Sequence, residues 1–78
     1  MVPTIGLRLR NRVRERRRAL GLTVAEMARQ AGVSRRVAGL VDRGTNHVPS
    51  GTVQLKLAQA LETTVQDLFY SEPVRVAS

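Results

Sequence analysis

Residues 34–43, Ser-Arg-Arg-Val-Ala-Gly-Leu-Val-Asp-Arg, gather in one short stretch the side chains with most chemistry to offer. Wound as a helix from Ser34, they put Val37, Ala38 and Val41 within about 60° of the Ser34 direction, while Arg35, Arg36, Gly39, Leu40 and Arg43 take the opposite arc, about 100° to 240°. An arginine can bind the O6 and N7 edge of a guanine through two hydrogen bonds, a glycine lets the backbone come close, and an aliphatic side chain suits a thymine methyl. That arc is suited to a major groove. The alternative is a solvated cationic face with one stray leucine. Gly39 costs about 1 kcal/mol of helix propensity, so a purely structural helix would gain by replacing it.

The elements on either side make this stretch the second half of a helix-turn-helix. Thr23-Val24-Ala25-Glu26 is a capping-box pattern that starts a helix running to about Ala31. Gly32 supplies a left-handed turn and Ser34 caps the next helix, which continues to about Arg43 and stops at Gly44. A turn of about three residues between two helices is the spacing of that motif.

Pro49-Ser50 open a fourth helix with Val53, Leu57 and Leu61 on its buried face, and Thr64 caps a short fifth helix ending near Leu68-Phe69. Ahead of the motif, Ile5, Leu9, Val13 and Leu20 share one helical face, with Thr4 as cap and Gly21 as stop. Arg12 and Arg16 fall inside that apolar arc and must extend past the core edge on their aliphatic stems or find a partner. The expected fold is therefore all-α, five helices, with residues 1–70 as the domain and residues 71–78 as a tail. The tail is read as a linker, a frayed end or a short strand, because Val74 and Val76 alternate.

Charge points to the partner. Of the net +7, residues 1–44 hold eleven Arg against three acids, and residues 45–78 hold Lys56 and Arg75 against Glu62, Asp67 and Glu72. Cations clustered in one half of a small domain suit a polyanion, because they release condensed counterions from phosphate. With no Cys and one His there is no disulfide framework and no expected structural zinc, which fits a reducing cytoplasm. No basic leader or membrane span is read, and no cofactor, small-molecule ligand or metal is expected. His47 stands in a polar loop without a nucleophile or clustered carboxylate, so no catalytic residue is assigned and the chain is expected not to be an enzyme. Phe69 and Tyr70 are the only aromatics, too few for the stacking platforms of single-strand or RNA binders.

Asn11-Arg12-Val13-Arg14, Leu20-Gly21-Leu22-Thr23, Ala28, Gly32-Val33-Ser34, Val41-Asp42-Arg43-Gly44, Pro49-Ser50, Leu57-Ala58-Gln59-Ala60-Leu61 and Asp67-Leu68-Phe69 together resemble the phage-repressor-type helix-turn-helix family, the lambda-repressor-like or xenobiotic-response-element group. The resemblance implies a five-helix DNA-binding domain, with Arg35, Arg36, Gly39 and Leu40 reading bases in double-stranded DNA. It further implies a homodimer on inverted half-sites about one helical turn apart. Phosphate contacts in such domains come from the start of the second helix and the loop before the fourth, which carries the role here to Thr23, Thr45, Asn46 and His47. Two departures stand out: Val24 replaces the usual Gln, and the loop is one residue longer and lacks Lys or Arg. The anchoring charge is then expected from Arg12, Arg16 and Arg43. The resemblance also pairs Arg17 with Asp42, and Ala38 stands where a larger aliphatic is common.

These readings converge on a cytoplasmic, sequence-specific transcriptional regulator, a repressor in the first instance. The alternatives are the N-terminal module of a longer ligand-sensing regulator, and an antitoxin or bridging adaptor that uses the same fold. For dimer contacts, the residues far from the reading face are Leu68, Tyr70, Val74 and Val76.

Overall fold

Residues 4–11 alternate: Ile5, Leu7 and Leu9 on one side, Gly6, Arg8 and Arg10 on the other. In the computed structural model, which describes residues 4–44 and 48–76, this segment is a strand, β1 (Thr4–Asn11). It pairs antiparallel with β2 (Phe69–Val76), from Thr4 opposite Val76 to Asn11 opposite Phe69. The fold is therefore mixed α and β, and the all-α expectation is wrong. A spacing of four, Ile5 to Leu9 to Val13, fits a helix. The spacing of two within the same residues fits a strand, and Gly6 weakens the helix further. The residues beyond 70 decide between them, because Tyr70 to Val76 supply the partner ladder.

Between the two strands lie α1 (Val13–Ala19), α2 (Val24–Ala31), α3 (Arg35–Asp42), α4 (Gly51–Ala60) and α5 (Val65–Leu68). The change from strand to helix is made at Asn11, whose Oδ1 accepts from the Val13 amide at 3.0 Å while its Nδ2 donates to the Val41 carbonyl at 3.1 Å. The Arg12 amide donates to the Leu68 carbonyl at 2.9 Å, so the root of the ribbon is fastened to both α3 and α5.

Thr4, expected to cap the first helix, lies in β1, and α1 starts instead after Arg12; the caps expected for the other four helices are present. The Thr23 hydroxyl accepts from the Glu26 amide, and the Glu26 carboxylate accepts from the Thr23 amide. Ser34, Ser50 and Thr64 cap α3, α4 and α5 through bonds to Val37, Val53 and Asp67. Gly32 ends α2 at φ 69°, the left-handed region where a Cβ is strained.

The core is small: Val13, Met27, Ala28, Ala38, Val41, Leu57, Ala58, Leu61, Leu68 and Phe69 are among its buried members. Ala38 is fully buried with Met27 beside it in the same cluster and Val37 packed at its edge, so a small residue at this position lets α3 pack close to the core. Ile5 and Leu9, expected on the core face, belong to the ribbon instead, where Ile5, Leu7 and Leu9 are 64%, 77% and 39% exposed. Leu68 is fully buried and is not a surface on which a dimer could form.

The molecule measures 49 × 21 × 21 Å. An eight-residue antiparallel strand rises about 27 Å. That is more than half of the long axis, and Ile5 and Leu7 stand exposed on β1, so the ribbon is an arm projecting from the helices.

Candidate nucleic-acid interface

The arginines divide into two sets by what their guanidinium groups already hold. Arg12 donates to the Asp67 carbonyl at 2.9 Å and lies 4.0 Å over the Tyr70 ring, a cation–π contact. Arg16 donates to the Leu61 carbonyl at 2.9 Å, where the end of α4 leaves its last carbonyls without helical partners. Arg10 pairs with Glu72 at 2.9 Å, and Arg14 and Arg17 both bind Asp42. By contrast Arg8, Arg18, Arg29, Arg35, Arg36, Arg43 and Arg75 make no side-chain hydrogen bond or ion pair among the described residues, and all seven are exposed. Charge held by a protein acceptor is less available to a ligand. The second set is the one poised for an anion.

Four of that set are gathered on one side. Arg18, Arg35, Arg36 and Arg43 line a recess of about 700 Å³ with Val24 and Gly39, the notch between the start of α2 and the outward arc of α3. Arg35 and Arg36 are placed in the first turn of α3 by the Ser34 cap. Arg43 folds back across the middle of the helix beside Gly39, where a Cβ would lie at ordinary contact distance, 3.5 Å, from its Nη1, so the fold itself does not require a glycine there. Leu40 is half-buried beside them.

Asp42 fixes the angle of this surface. Its side chain is 3% exposed and receives the Arg17 Nε at 2.6 Å and the Arg14 Nε at 3.0 Å. Arg17 also donates through Nη1 to the Leu22 carbonyl at 2.8 Å. Burial works to raise the Asp42 carboxyl, but the hydrogen bonds and charges of Arg17 and Arg14 outweigh it, and the group titrates below the ordinary aspartate value. The expected Arg17–Asp42 pair is thus present as a three-residue cluster, Arg14 being the member the sequence did not announce.

The remaining sequence-named positions are spread more widely. Thr23 is exposed at the start of α2 with its hydroxyl and amide both used by the capping box. That box holds the Glu26 carboxyl below its ordinary value, chiefly through the bond from the Thr23 backbone. Thr45, Asn46 and His47 lie outside the described residues. Arg12 and Arg16 sit where α1 meets the end of α4 and α5, apart from the recess. Arg18, which lines the recess, was not singled out; it belongs to the Arg run whose members look equivalent by type, and only their partners distinguish them.

Among the described residues, no three His, Cys, Asp or Glu side chains gather where they could hold a metal ion, and no helix is long and apolar enough to cross a membrane. No curated protein matches the chain. Residues 8–68 match the family model described as a helix-turn-helix domain, and with that match spanning well over half of the sequence and α2, turn and α3 in place, the chain belongs to the helix-turn-helix family of DNA-binding domains.

Proposed function

We propose that the protein is a sequence-specific double-stranded-DNA-binding transcriptional regulator of the phage-repressor type, acting in the cytoplasm as a repressor and without catalysis. The observation that carries this reading is the pair Arg35 and Arg36, exposed and uncommitted in the first turn of α3, at the mouth of a recess that also holds Arg18 and Arg43. In this reading Arg35 and Arg36 bind guanine edges, Gly39 and Leu40 meet the groove floor, and Arg18, Arg43 and the α2 start at Thr23 hold phosphates. Arg12 and Arg16 serve chiefly to lock α1 onto the α4 and α5 ends. Occupying an operator excludes other proteins from it, which is the simplest route to repression.

One reading helix covers only a few base pairs, so selection of a site calls for two copies on inverted half-sites. The contact between copies is assigned to the apolar face of the ribbon. Ile5, Leu7 and Leu9 form its exposed apolar strip, opposite Arg75, Pro73 and Ser71, with no acid among them. A two-stranded ribbon alone is marginal in water, and a second copy offers a like apolar strip to cover it.

Selection of bound duplexes from a random library tests the whole reading. An inverted-repeat consensus is expected; recovery of no sequence preference would sink the specific-regulator reading.

A further inference from the structure

The recess at α3 does not end at Arg43. A second groove, about 1130 Å³, shares Arg14, Arg18, Asp42 and Arg43 with it and continues under the ribbon. The two form one continuous surface. Its far wall is ribbon: Gly6, Leu7, Arg8, Leu9 and Arg10 of β1 line it with Tyr70 and Val74 of β2. The arm therefore brings the guanidiniums of Arg8 and Arg10 to the same groove as the reading helix. Arg8, Arg10, Arg12, Arg14, Arg18 and Arg43 line this groove against two acids, Glu15 and Asp42, and Asp42 is already bound by two guanidiniums.

We infer that the β1–β2 ribbon is a second DNA-contacting element, whose Gly6–Arg8–Arg10 face lies along the phosphate backbone beside the half-site read by α3. The inference rests on the DNA-reading role of α3. The contact is to backbone because Arg8 and Arg10 lie on the arm beside α3 and not on the helix that enters the groove, where the base edges are. Its reach is ample, since about 27 Å of strand spans several phosphates of one DNA strand, which recur about every 3.4 Å of helix axis. Arg8 is the principal ligand: it is exposed and makes no side-chain bond, although Glu72 stands opposite it on β2. Arg10 is held back by Glu72 at 2.9 Å, so the ribbon carries a charge that a nearby phosphate could draw off.

The test compares wild type, Arg8→Gln, Glu72→Gln and Arg36→Ala on the selected duplex and on random duplex, by salt-titrated affinity and hydroxyl-radical footprinting. Arg8→Gln leaves the fold unchanged, because the side chain bonds to nothing. It is expected to lower the log–log salt slope by about 0.9, a factor of about 3.5 in affinity across a fourfold change in salt, equally on both duplexes. It should also remove backbone protection flanking the half-site. Glu72→Gln, which releases Arg10, is expected to tighten both. An unchanged slope and footprint for Arg8→Gln overturns the inference even if Arg36→Ala abolishes selectivity. If the wild type binds no duplex at all, the α3 reading fails and this one with it.

Discussion

Arg17 and Asp42 are joined at 2.6 Å from Nε to Oδ1, and the same guanidinium holds the Leu22 carbonyl at 2.8 Å, so one side chain ties α1 to the end of α3 and to the entry of α2. The two helices of the motif are thereby set at an angle that neither determines alone. Asp42 is nearly covered, and its second oxygen is taken by Arg14. Removing the carboxylate would leave a guanidinium that is itself 14% exposed without its ionic partner.

Asp42→Ala is expected to lower stability by about 2 kcal/mol, the scale of charged hydrogen bonds lost from a covered site. Urea unfolding monitored by circular dichroism measures it. A loss under about 0.5 kcal/mol would reduce the cluster to the worth of a surface pair.

The same cluster sets an acid dependence. The Asp42 carboxyl is lowered in the folded chain, so its contribution is fully present above the unfolded aspartate value of about 3.9 and is lost as pH falls through the lower folded value. Wild type should therefore lose stability below about pH 4 by more than Asp42→Asn does. Parallel curves for the two proteins would show that Asp42 is not linked to folding.

Arg35→Ala and Arg36→Ala should each cost about 1–3 kcal/mol on the preferred duplex and relax selectivity at particular base pairs. The reason is their place in the open first turn of α3, uncommitted to any protein acceptor. Equal losses on preferred and random duplex would make them phosphate contacts.

Much of this was legible in the sequence because it rests on local chemistry. Thr23 with Glu26, Gly32 and Ser34 each fix their own boundary within three or four residues, and the motif follows from their spacing. The ribbon was not legible in the same way. Residues 4–11 fit a helix and a strand equally well, and their partner, Phe69–Val76, lies 58 to 72 residues on. The arginine run was opaque for a related reason: Arg16 and Arg18 are alike by type, but one meets the Leu61 carbonyl and the other faces the recess. Only the partner each meets in the folded chain tells them apart.

Gly39 separates a structural helix from a reading helix. Alanine there would gain about 1 kcal/mol of helix propensity, and its methyl would lie at ordinary contact distance, 3.5 Å, from Arg43. Gly39→Ala is thus expected to raise the unfolding midpoint while weakening specific binding, since the backbone can no longer approach the groove floor. A variant more stable and equally tight on the preferred duplex would show that α3 does not enter the groove at Gly39.

The apolar ribbon face supplies the last expectation. Ile5 and Leu7 are 64% and 77% exposed, so replacing both by glutamine costs the core nothing and adds no charge beside Arg8 and Arg10. If this strip joins two copies, Ile5→Gln/Leu7→Gln should be monomeric in sedimentation at concentrations where wild type associates. It should also fill the two half-sites of an operator independently where wild type fills them together. Affinity for an isolated half-site should not change, because α3 and the Arg8 side of the ribbon are untouched. A double variant that keeps wild-type cooperativity would move the dimer contact elsewhere, and Tyr70, half-buried beneath Arg12, would offer little surface for it.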